Sequence, residues 1–238
     1  ETGDRGQGAV ETTHDTARRM VFLHRQGKVV ASWASPLPGE HMAYNAAVAA
    51  VLAHRQGAKW DDIARAIASF QGLDRRMQKM GAFQQPPGAL PPITVVDDYG
   101  HHPTEVDTTL RALRQHYNPA RLICVFQPHQ HSRTRFLLDE FAASFTNADV
   151  VIVPDIYFVR DSINERHAVR SADLVDRLRQ RGRQAMHLYP FVAIVEQLHL
   201  MARPGDLIVT MGAGDVWKVA RDVLTAADAA PINLRHAG

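Results

Sequence analysis

The chain has 238 residues, of which 45% are apolar and 22% are charged. This composition excludes a disordered or fibrous protein and allows one or two domains with a hydrophobic core. The formal net charge is +2 and the basic residues are scattered along the chain, which argues against a nucleic-acid-binding protein and makes small molecules the expected partners.

The first segment, residues 1–72, is predicted to contain a β-hairpin. The stretches 20–23 and 29–33 are mostly apolar, and the short connection Arg25-Gln26-Gly27-Lys28 separates them. A glycine in such a connection is typical of a hairpin turn. We therefore expect two antiparallel strands over these residues.

Two helices are predicted to follow the hairpin. The first begins after Pro38-Gly39 and carries small apolar side chains over residues 46–52. The second is expected to use Asp61 as its amino-terminal cap and to end at Gly72. Its spacing predicts one apolar face, made of Ile63, Ile67 and Phe70. The first segment is thus expected to be α+β.

From residue 73 to residue 238 the pattern changes to apolar strands that alternate with amphipathic helices. Five strands are predicted, over residues 93–97, 121–126, 150–154, 185–188 and 206–211. Between them, apolar residues recur at helical spacing, as in Val106, Leu110 and Leu113, and in Leu137, Phe141 and Phe145. The proline-rich residues 84–92 are predicted to form a loop between an edge strand and the sheet.

This alternation predicts an α/β fold with a Rossmann-like, mostly parallel sheet and helices on both faces. In such sheets, ligands bind in the crevice outside the carboxyl ends of the strands. Polar residues that directly follow a strand are therefore the first candidates for a functional site.

Three polar clusters occupy that position. Residues 97–103 end the first parallel strand, with Pro103 suited to a first helical turn and Glu105 complementing the helix dipole. Residues 127–135 follow the next strand, and residues 212–215 follow the last. The three loops are expected to present carboxylates, imidazoles, guanidiniums and a glycine turn to one crevice.

Each cluster also has a purely structural interpretation. The glycines of residues 212–215 suit a tight turn without any ligand, and adjacent histidines suit a surface loop or a helix cap. Four histidines on two loops also suggest a zinc site, although no metal-ligand spacing is present: His101, His102, His129 and His131. Arginines in this crevice suit a carboxylate or phosphate, which a guanidinium holds with two hydrogen bonds.

In the first segment, His41 and Asn45 are four residues apart and share one face of the first helix. A carboxamide can both donate to and accept from a base edge such as that of adenine. The alternative is a polar stripe on the surface of a helix. Their residue types alone leave both interpretations open.

The single cysteine and the absence of long apolar segments indicate the cellular compartment of the protein. Cys124 lies in an apolar run and cannot form an internal disulfide, so we expect a buried thiol in a reducing environment. No stretch has the ~18 apolar residues of a membrane span, and the polar residues 1–5 lack a signal-peptide core. We expect a soluble, cytoplasmic protein without a membrane partner.

Taken together, these motifs resemble those of the Mur ligases. The shared features occur in the family's order: Pro38-Gly39 with His41 and Asn45, Gly72-Leu73 with Arg75 and Arg76, and the loops at residues 97–105, 126–135 and 212–215. The resemblance runs from residue 20 to residue 224. The two histidine loops resemble those of the members that add L-alanine, and the murein tripeptide ligases are the next most similar.

The resemblance implies an ATP-dependent ligase of peptidoglycan precursor synthesis. The members that add L-alanine activate the carboxylate of UDP-N-acetylmuramate with ATP and Mg²⁺, and the amine of L-alanine attacks the acyl phosphate. By the same resemblance, the nucleotide would meet His41, Asn45, Arg76 and Asp97. L-alanine would be held by Tyr99, His101, His129 and Arg133, with His101 and Arg133 as the catalytic pair.

The sequence departs from the family pattern in three places. Met42 stands where the family usually has asparagine, and Gln130 stands where many members have arginine. No Gly-x-x-x-x-Gly-Lys-Ser/Thr loop occurs in the 238 residues. The resemblance therefore implies that residues 1–72 are the end of a central ATP-binding domain and residues 73–238 an amino-acid-binding domain.

On this interpretation, the parent chain has a UDP-binding domain and a P-loop domain that these 238 residues do not include, and the chain would depend on both as partners. Most magnesium ligands would lie in those domains. The isolated chain is therefore expected to be inactive. Two functions of other classes stay open. One is a non-catalytic module that binds an amino acid or a nucleotide. The other is a hydrolase that uses a histidine-bound metal.

Overall fold

A computed structural model describes residues 10–15 and 18–229 of the chain, without the side chain of residue 229. The chain divides into two compact units, Glu1–Leu73 and Asp74–Gly238. The sequence pattern placed the change of architecture at residue 73. Which domain of a larger protein each unit represents stays a prediction.

The first unit contains a three-stranded antiparallel sheet in the order β1-β2-β3. Its strands are β1 (Val10–Asp15), β2 (Met20–Arg25) and β3 (Lys28–Ala34). The predicted hairpin is confirmed as β2 and β3, and Gln26 and Gly27 turn the chain with φ of 52° and 73°. Strand β1 was not predicted from the sequence.

Helices α1 (Glu40–Arg55) and α2 (Trp60–Ala68) complete the first unit. Small side chains of α1, including Ala43 and Ala47, pack into one core with the inward residues of β2 and β3. The predicted limits of α2 are wrong. Lys59 precedes the helix without a side-chain cap, Asp61 lies in its first turn, and the helix ends before the half-exposed Phe70.

The second unit is built on a six-stranded sheet in the order β4-β5-β9-β6-β7-β8. Strand β4 pairs antiparallel with β5, and the remaining neighbours are parallel, which confirms the predicted fold class. The strands are β4 (Gln78–Phe83), β5 (Ile93–Asp98), β6 (Leu122–Phe126), β7 (Val150–Val153), β8 (Gln184–His187) and β9 (Leu207–Met211).

The helices of the second unit connect these strands as crossovers. They are α3 (Pro103–Tyr117), α4 (His131–Phe136), α5 (Leu138–Ala143), α6 (Ser171–Gln180), α7 (Phe191–Met201) and α8 (Trp217–Ala229), with a 3-10 helix at Ile163–His167. The predicted face of α3 is fully buried at Val106, Leu110 and Leu113. The helix predicted from the spacing of Leu137, Phe141 and Phe145 is found as α5, with Phe141 and Phe145 fully buried, but it begins after Leu137 and ends at Ala143.

The sheet is covered on both faces, so its central strands are buried along their whole length. Cys124 lies in the middle of β6, and burial raises the pKa of its thiol, which favours the neutral form as expected for a packing residue. Among residues 10–15 and 18–229, none of the helices has the length and apolar character needed to cross a membrane.

Candidate functional site

The carboxyl ends of three neighbouring strands of the second unit define the candidate site. Strand β9 lies between β5 and β6, and the strand ends Asp98, Met211 and Phe126 are in register across the three. Neighbours in the sheet differ from neighbours in the sequence, because β9 follows β6 by about eighty residues. The three predicted polar loops therefore start side by side.

Asp97 anchors one side of this edge from inside the protein. Its carboxylate is fully buried and accepts hydrogen bonds from Thr210 Oγ1 at 2.5 Å and from Arg75 Nε at 3.0 Å. Arg75 also donates to the carbonyl of Gly212 at 2.6 Å. Both oxygens of Asp97 are thus engaged within the unit, which does not favour the expected direct contact with a nucleotide.

The neighbouring Asp98 fixes the loop that leaves β5. It is 2% exposed and accepts from the backbone N–H groups of Met77 at 2.9 Å and Gly100 at 2.7 Å. Burial raises the pKa of Asp98, and these two hydrogen bonds oppose the shift. The carboxyl group therefore serves to shape the loop rather than to face solvent.

A row of four aromatic rings crosses the edge of the sheet. Tyr99 meets His101 edge-on with ring centroids 5.4 Å apart, and His101 lies 5.6 Å from His129. Tyr157, which follows β7, stacks on the other side of His129 at 5.7 Å. The structure thus brings together the predicted residues Tyr99, His101 and His129, and it adds Tyr157 to them.

Arginines from before β4 flank this row. The guanidinium of Arg75 lies 4.9 Å from the centre of the Tyr99 ring and that of Arg76 lies 5.4 Å from it. Arg76 is 40% exposed and its nearest carboxylate, that of Glu105, is 3.9 Å away. Arg76, unlike Arg75, therefore keeps donors available to a ligand.

The two adjacent histidines have different roles. His102 caps helix α3, since its ring accepts from the N–H of Thr104 at 3.3 Å while Glu105 accepts from the N–H of His102 at 3.1 Å. The Nδ1–H of His101 donates to the carbonyl of Tyr99 at 3.1 Å. The structural interpretation as a helix cap is thus correct for His102, and His101 alone turns towards the row of rings.

His129 is electrostatically tuned towards its neutral form. Burial lowers the pKa of His129, and the neighbouring His101 and Arg133 lower it further. Its Nδ1 is buried and has no hydrogen-bond partner within the described part of the chain. A neutral imidazole here is able to accept a hydrogen bond from a positively charged ligand group.

Helix α4 is held in place by the loop after β7. Gln130 precedes the helix at φ 67° and donates from its side chain to the carbonyl of Arg160 at 3.2 Å. Asp161 accepts from the N–H of Ser132 at 3.1 Å, and its carboxylate lies 3.9 Å from Nδ1 of the buried His131. Gln130 and His131 therefore support the helix from within the unit.

The two arginines of α4 differ in what surrounds them. Arg135 donates twice to the carboxylate of Glu165, at 2.9 Å each. In Arg133, by contrast, Nη1 is buried and has no hydrogen-bond partner among residues 10–15 and 18–229. Arg133 is thus the guanidinium of this helix that is able to receive an anionic group.

The glycine turn after β9 is explained by packing. Gly212 has φ 142°, and a Cβ there would lie 2.7 Å from the carbonyl oxygen of Gln127. A Cβ on Gly214 would lie 2.6 Å from Oε1 of Gln127 and 2.8 Å from Cγ of Tyr157. Side chains at these positions would displace the loops after β6 and β7, so the turn sets the spacing of the site.

The predicted residues of the first unit lie at the start of α1. His41 is in the first turn and partly buried, and Asn45 is exposed one turn later. Gly39 precedes the helix at φ 93°. Their expected contact with a nucleotide stays a prediction, because the two units are separate compact bodies.

A metal centre does not emerge from the described residues. Within residues 10–15 and 18–229, no group of three or more histidine, cysteine, aspartate or glutamate side chains is arranged to hold an ion. His102 caps α3 and His131 packs against Phe158 with ring centroids 5.7 Å apart. The four histidines therefore do not converge as a zinc site would require.

Three residues of the site were missed by the sequence prediction. Arg75 was recognised only as part of a motif, although its charge next to Arg76 was a usable signal. Tyr157 and Asp161 lie in a loop without a recognisable pattern. The position of β7 next to β6 was the signal that would have placed this loop at the site.

Comparisons with known proteins show which family this chain resembles. A family model described as "Mur ligase, glutamate ligase domain" matches residues 75–214. The UDP-N-acetylmuramate--L-alanine ligase of Acetivibrio thermocellus is 41% identical over 183 residues, 77% of this chain and 37% of that protein. That of Caldanaerobacter subterraneus subsp. tengcongensis is 36% identical over 217 residues, 91% of this chain and 45% of that protein.

Solved structures share the fold. The UDP-N-acetylmuramate-alanine ligase of Thermotoga maritima aligns with a TM-score of 0.71 at 20% identity, over 92% of this chain and 45% of that one. A murein peptide ligase from Psychrobacter arcticus aligns with a TM-score of 0.63 at 23% identity, over 94% and 45%. The chain thus spans less than half the length of the relatives described here.

Proposed function

The chain belongs to the Mur ligase family, and we propose that it is the amino-acid-binding part of an ATP-dependent, cytoplasmic ligase that joins L-alanine to UDP-N-acetylmuramate. Support comes from curated relatives of that name that are 36% to 41% identical to it. Because the chain spans under half of each relative, the rest of such a ligase would hold the UDP-sugar and the ATP phosphates.

The observation that carries the proposal is the state of Arg133. Its buried Nη1 has no hydrogen-bond partner in the described part of the chain, whereas Arg135 in the same helix donates two hydrogen bonds to Glu165. A buried donor without a partner costs about 1–3 kcal/mol. The α-carboxylate of an amino acid would satisfy this donor, and a guanidinium fits a carboxylate with two parallel hydrogen bonds.

The histidines would receive the amine of the same substrate. The Nδ1–H of His101 is used by the carbonyl of Tyr99, so a neutral His101 ring has its lone pair on Nε2. His129 favours its neutral form. We propose that His101 accepts a proton from the amine as the new C–N bond forms and phosphate leaves the acyl group. His129 and Tyr99 would orient the amino acid.

For the nucleotide, we propose His41 and Asn45 as contacts to the base and Arg76 as a contact to the ribose or phosphates. The free donors of Arg76 fit an anion. Bound ATP would supply the phosphoryl group that activates the muramate carboxylate. Asp97 is reassigned to holding Arg75, and no described residue is proposed as a magnesium ligand.

Arg133→Ala tests the proposal in the chain as it stands. L-alanine titrated into the protein and followed by NMR should bind about ten- to a hundred-fold more weakly, because a hydrogen bond to a charged group is worth about 1.5–3 kcal/mol. Arg133→Lys should restore part of the loss, since an ammonium keeps the charge without the planar fork. In a complete ligase the same change should raise the KM for L-alanine far more than that for ATP.

Arg135→Ala is the matched control, because it removes the same charge from the same helix. Its guanidinium is occupied by Glu165, so L-alanine binding should stay within about two-fold of the wild type. Equal losses for Arg133→Ala and Arg135→Ala would show a general effect of charge and would contradict the assignment. Unchanged binding in Arg133→Ala would do so as well.

A further inference from the structure

A cavity opens next to the row of rings in the second unit. It has a volume of about 540 Å³, which is large enough for a small-molecule group. Four of its walls are aromatic and two are acidic: Tyr157, Phe158, Tyr189, Phe191, Asp155 and Asp215. His129 does not line this cavity, so it is distinct from the proposed amino-acid site.

Both carboxylates at this cavity already accept a hydrogen bond from a neighbouring side chain. His187 Nε2 donates to Asp155 at 2.7 Å, and Lys218 Nζ donates to Asp215 at 2.9 Å. The cavity offers polar and apolar surface in similar amounts. Its aromatic rings are able to pack against a large apolar group.

Tyr157 separates the cavity from the proposed site. One face of its ring stacks on His129 with centroids 5.7 Å apart and planes at 24°, and the side chain also lines the cavity. Backbone pairing holds it in place, since Tyr157 N donates to the carbonyl of Pro128 at 2.8 Å and Gln130 N donates to the carbonyl of Tyr157 at 3.0 Å. The wall is thus built on a fixed backbone.

Gly214 supports the ring from behind. A Cβ at this position would lie 2.8 Å from Cγ and 2.9 Å from Cδ2 of Tyr157. The ring therefore packs directly against the backbone of the glycine turn. It is confined between that turn and His129 and has little freedom to swing away.

We propose that Tyr157 determines the specificity of the amine substrate, by closing the amino-acid site against the aromatic cavity so that only a small side chain fits. This inference rests on the proposed function. Removal of the ring joins the two spaces, and a large apolar side chain such as that of L-phenylalanine then reaches Phe158 and Phe191. Tyr157 is a positioning and specificity residue, whereas Arg133 and the histidines hold the backbone groups of the substrate.

The test is the ratio of dissociation constants for L-phenylalanine and L-alanine, measured by NMR titration of the full chain. Wild type should prefer L-alanine, and Tyr157→Ala should shift the ratio towards L-phenylalanine by about ten-fold or more, since one methylene in a pocket is worth about 10- to 200-fold. Tyr157→Phe keeps the ring and should keep the ratio. Tyr157→Leu should shift it less, in the same direction, and replaces Tyr157→Ala if that variant does not fold.

A ratio is chosen because general loosening of the loop weakens both ligands and leaves their ratio unchanged. If folded Tyr157→Ala or Tyr157→Leu binds L-alanine with the wild-type preference, the specificity proposal is overturned while the proposed function stands. If the wild-type chain binds neither amino acid, the proposed function fails and the specificity proposal fails with it.

Discussion

Single residues of the site are distinguished by how many of their hydrogen-bonding groups are already used. Arg75 is committed to Asp97 and to the carbonyl of Gly212, and Arg135 is committed to Glu165. Arg133 keeps a buried donor without a partner in the described part of the chain. The residue types alone do not separate these arginines, because the distinction depends on what the fold places around each guanidinium.

The lowered pKa of His129 predicts that the stability of the protein depends on pH. Burial lowers the pKa of His129 in the folded protein, so the unfolded chain takes up this proton at higher pH than the folded one. The stability that this residue contributes is complete above about pH 6.5, its unfolded pKa, and is lost as the pH falls through the folded pKa. The free energy of unfolding should therefore decrease on acidification from about pH 6.5.

The measurement is urea denaturation of wild type and His129→Gln at a series of pH values from about 7.5 to 5. Glutamine keeps a polar side chain but does not titrate, so the variant should lose less stability than the wild type over that range. Other titrating groups act on both proteins and cancel in the comparison. Parallel pH curves for the two proteins would show that His129 is not held neutral by the fold.

Among the secondary-structure elements, the most completely buried strands were the easiest to predict from the sequence. Strands β5, β6, β7 and β9 were found because strands covered on both faces are mostly apolar runs. Strand β8 is partly exposed, and its predicted bounds were shifted by one residue. Strand β1 was missed because five of its six residues are polar and none is buried. Strand β4 could not be delimited because Lys79 and Gly81 interrupt its apolar pattern. The break at Leu137 depends on how α4 and α5 pack, and spacing does not encode that.

The site was predictable in part for a related reason. Each polar loop could be assigned to the end of its own strand, and that placed Tyr99, His101, His129 and Arg133 at one edge of the sheet. The position of β9 between β5 and β6 is determined by tertiary packing and not by local sequence. The same holds for the contact between His129 and the loop after β7. Tyr157 therefore could not be found from the pattern of its own segment.

Gly212→Ala tests the glycine turn as a structural element. The residue has φ 142° and its Cβ would lie 2.7 Å from the carbonyl oxygen of Gln127, so backbone strain and a steric clash should together cost about 2–4 kcal/mol of stability. Gly182→Ala is the control, because Gly182 has φ 75° with nothing within 4 Å of its Cβ. It should lose only about 1 kcal/mol. Equal losses in urea denaturation would show that the close approach to Gln127 does not matter.

At the scale of the whole molecule, the chain corresponds to less than half of each ligase that it matches, and this limits the activity expected of it alone. It spans 37% of the Acetivibrio thermocellus ligase and 45% of the Caldanaerobacter one. The 238 residues contain four lysines and none stands in a glycine-rich phosphate loop. Phosphoryl transfer depends on positioning the phosphates and neutralising their charge, and the chain lacks the sequence that would form that cradle.

We therefore predict that the chain alone does not form ADP from ATP in the presence of UDP-N-acetylmuramate and L-alanine, in a coupled assay that detects ADP. A chimera supplies the missing half: the part of the Acetivibrio thermocellus ligase that this chain does not match, followed by this chain in place of the matched part. With ATP and UDP-N-acetylmuramate it should form ADP continuously only when L-alanine is present, because the amino acid consumes the acyl phosphate and frees the site for another turnover. Arg133→Ala in the chimera should raise the L-alanine concentration needed for half-maximal rate.

ADP formation by the isolated chain would contradict the prediction, since it would require a phosphate site within residues that carry no such loop. A chimera that folds and hydrolyses ATP equally with and without L-alanine would show that this chain does not supply the amino-acid site.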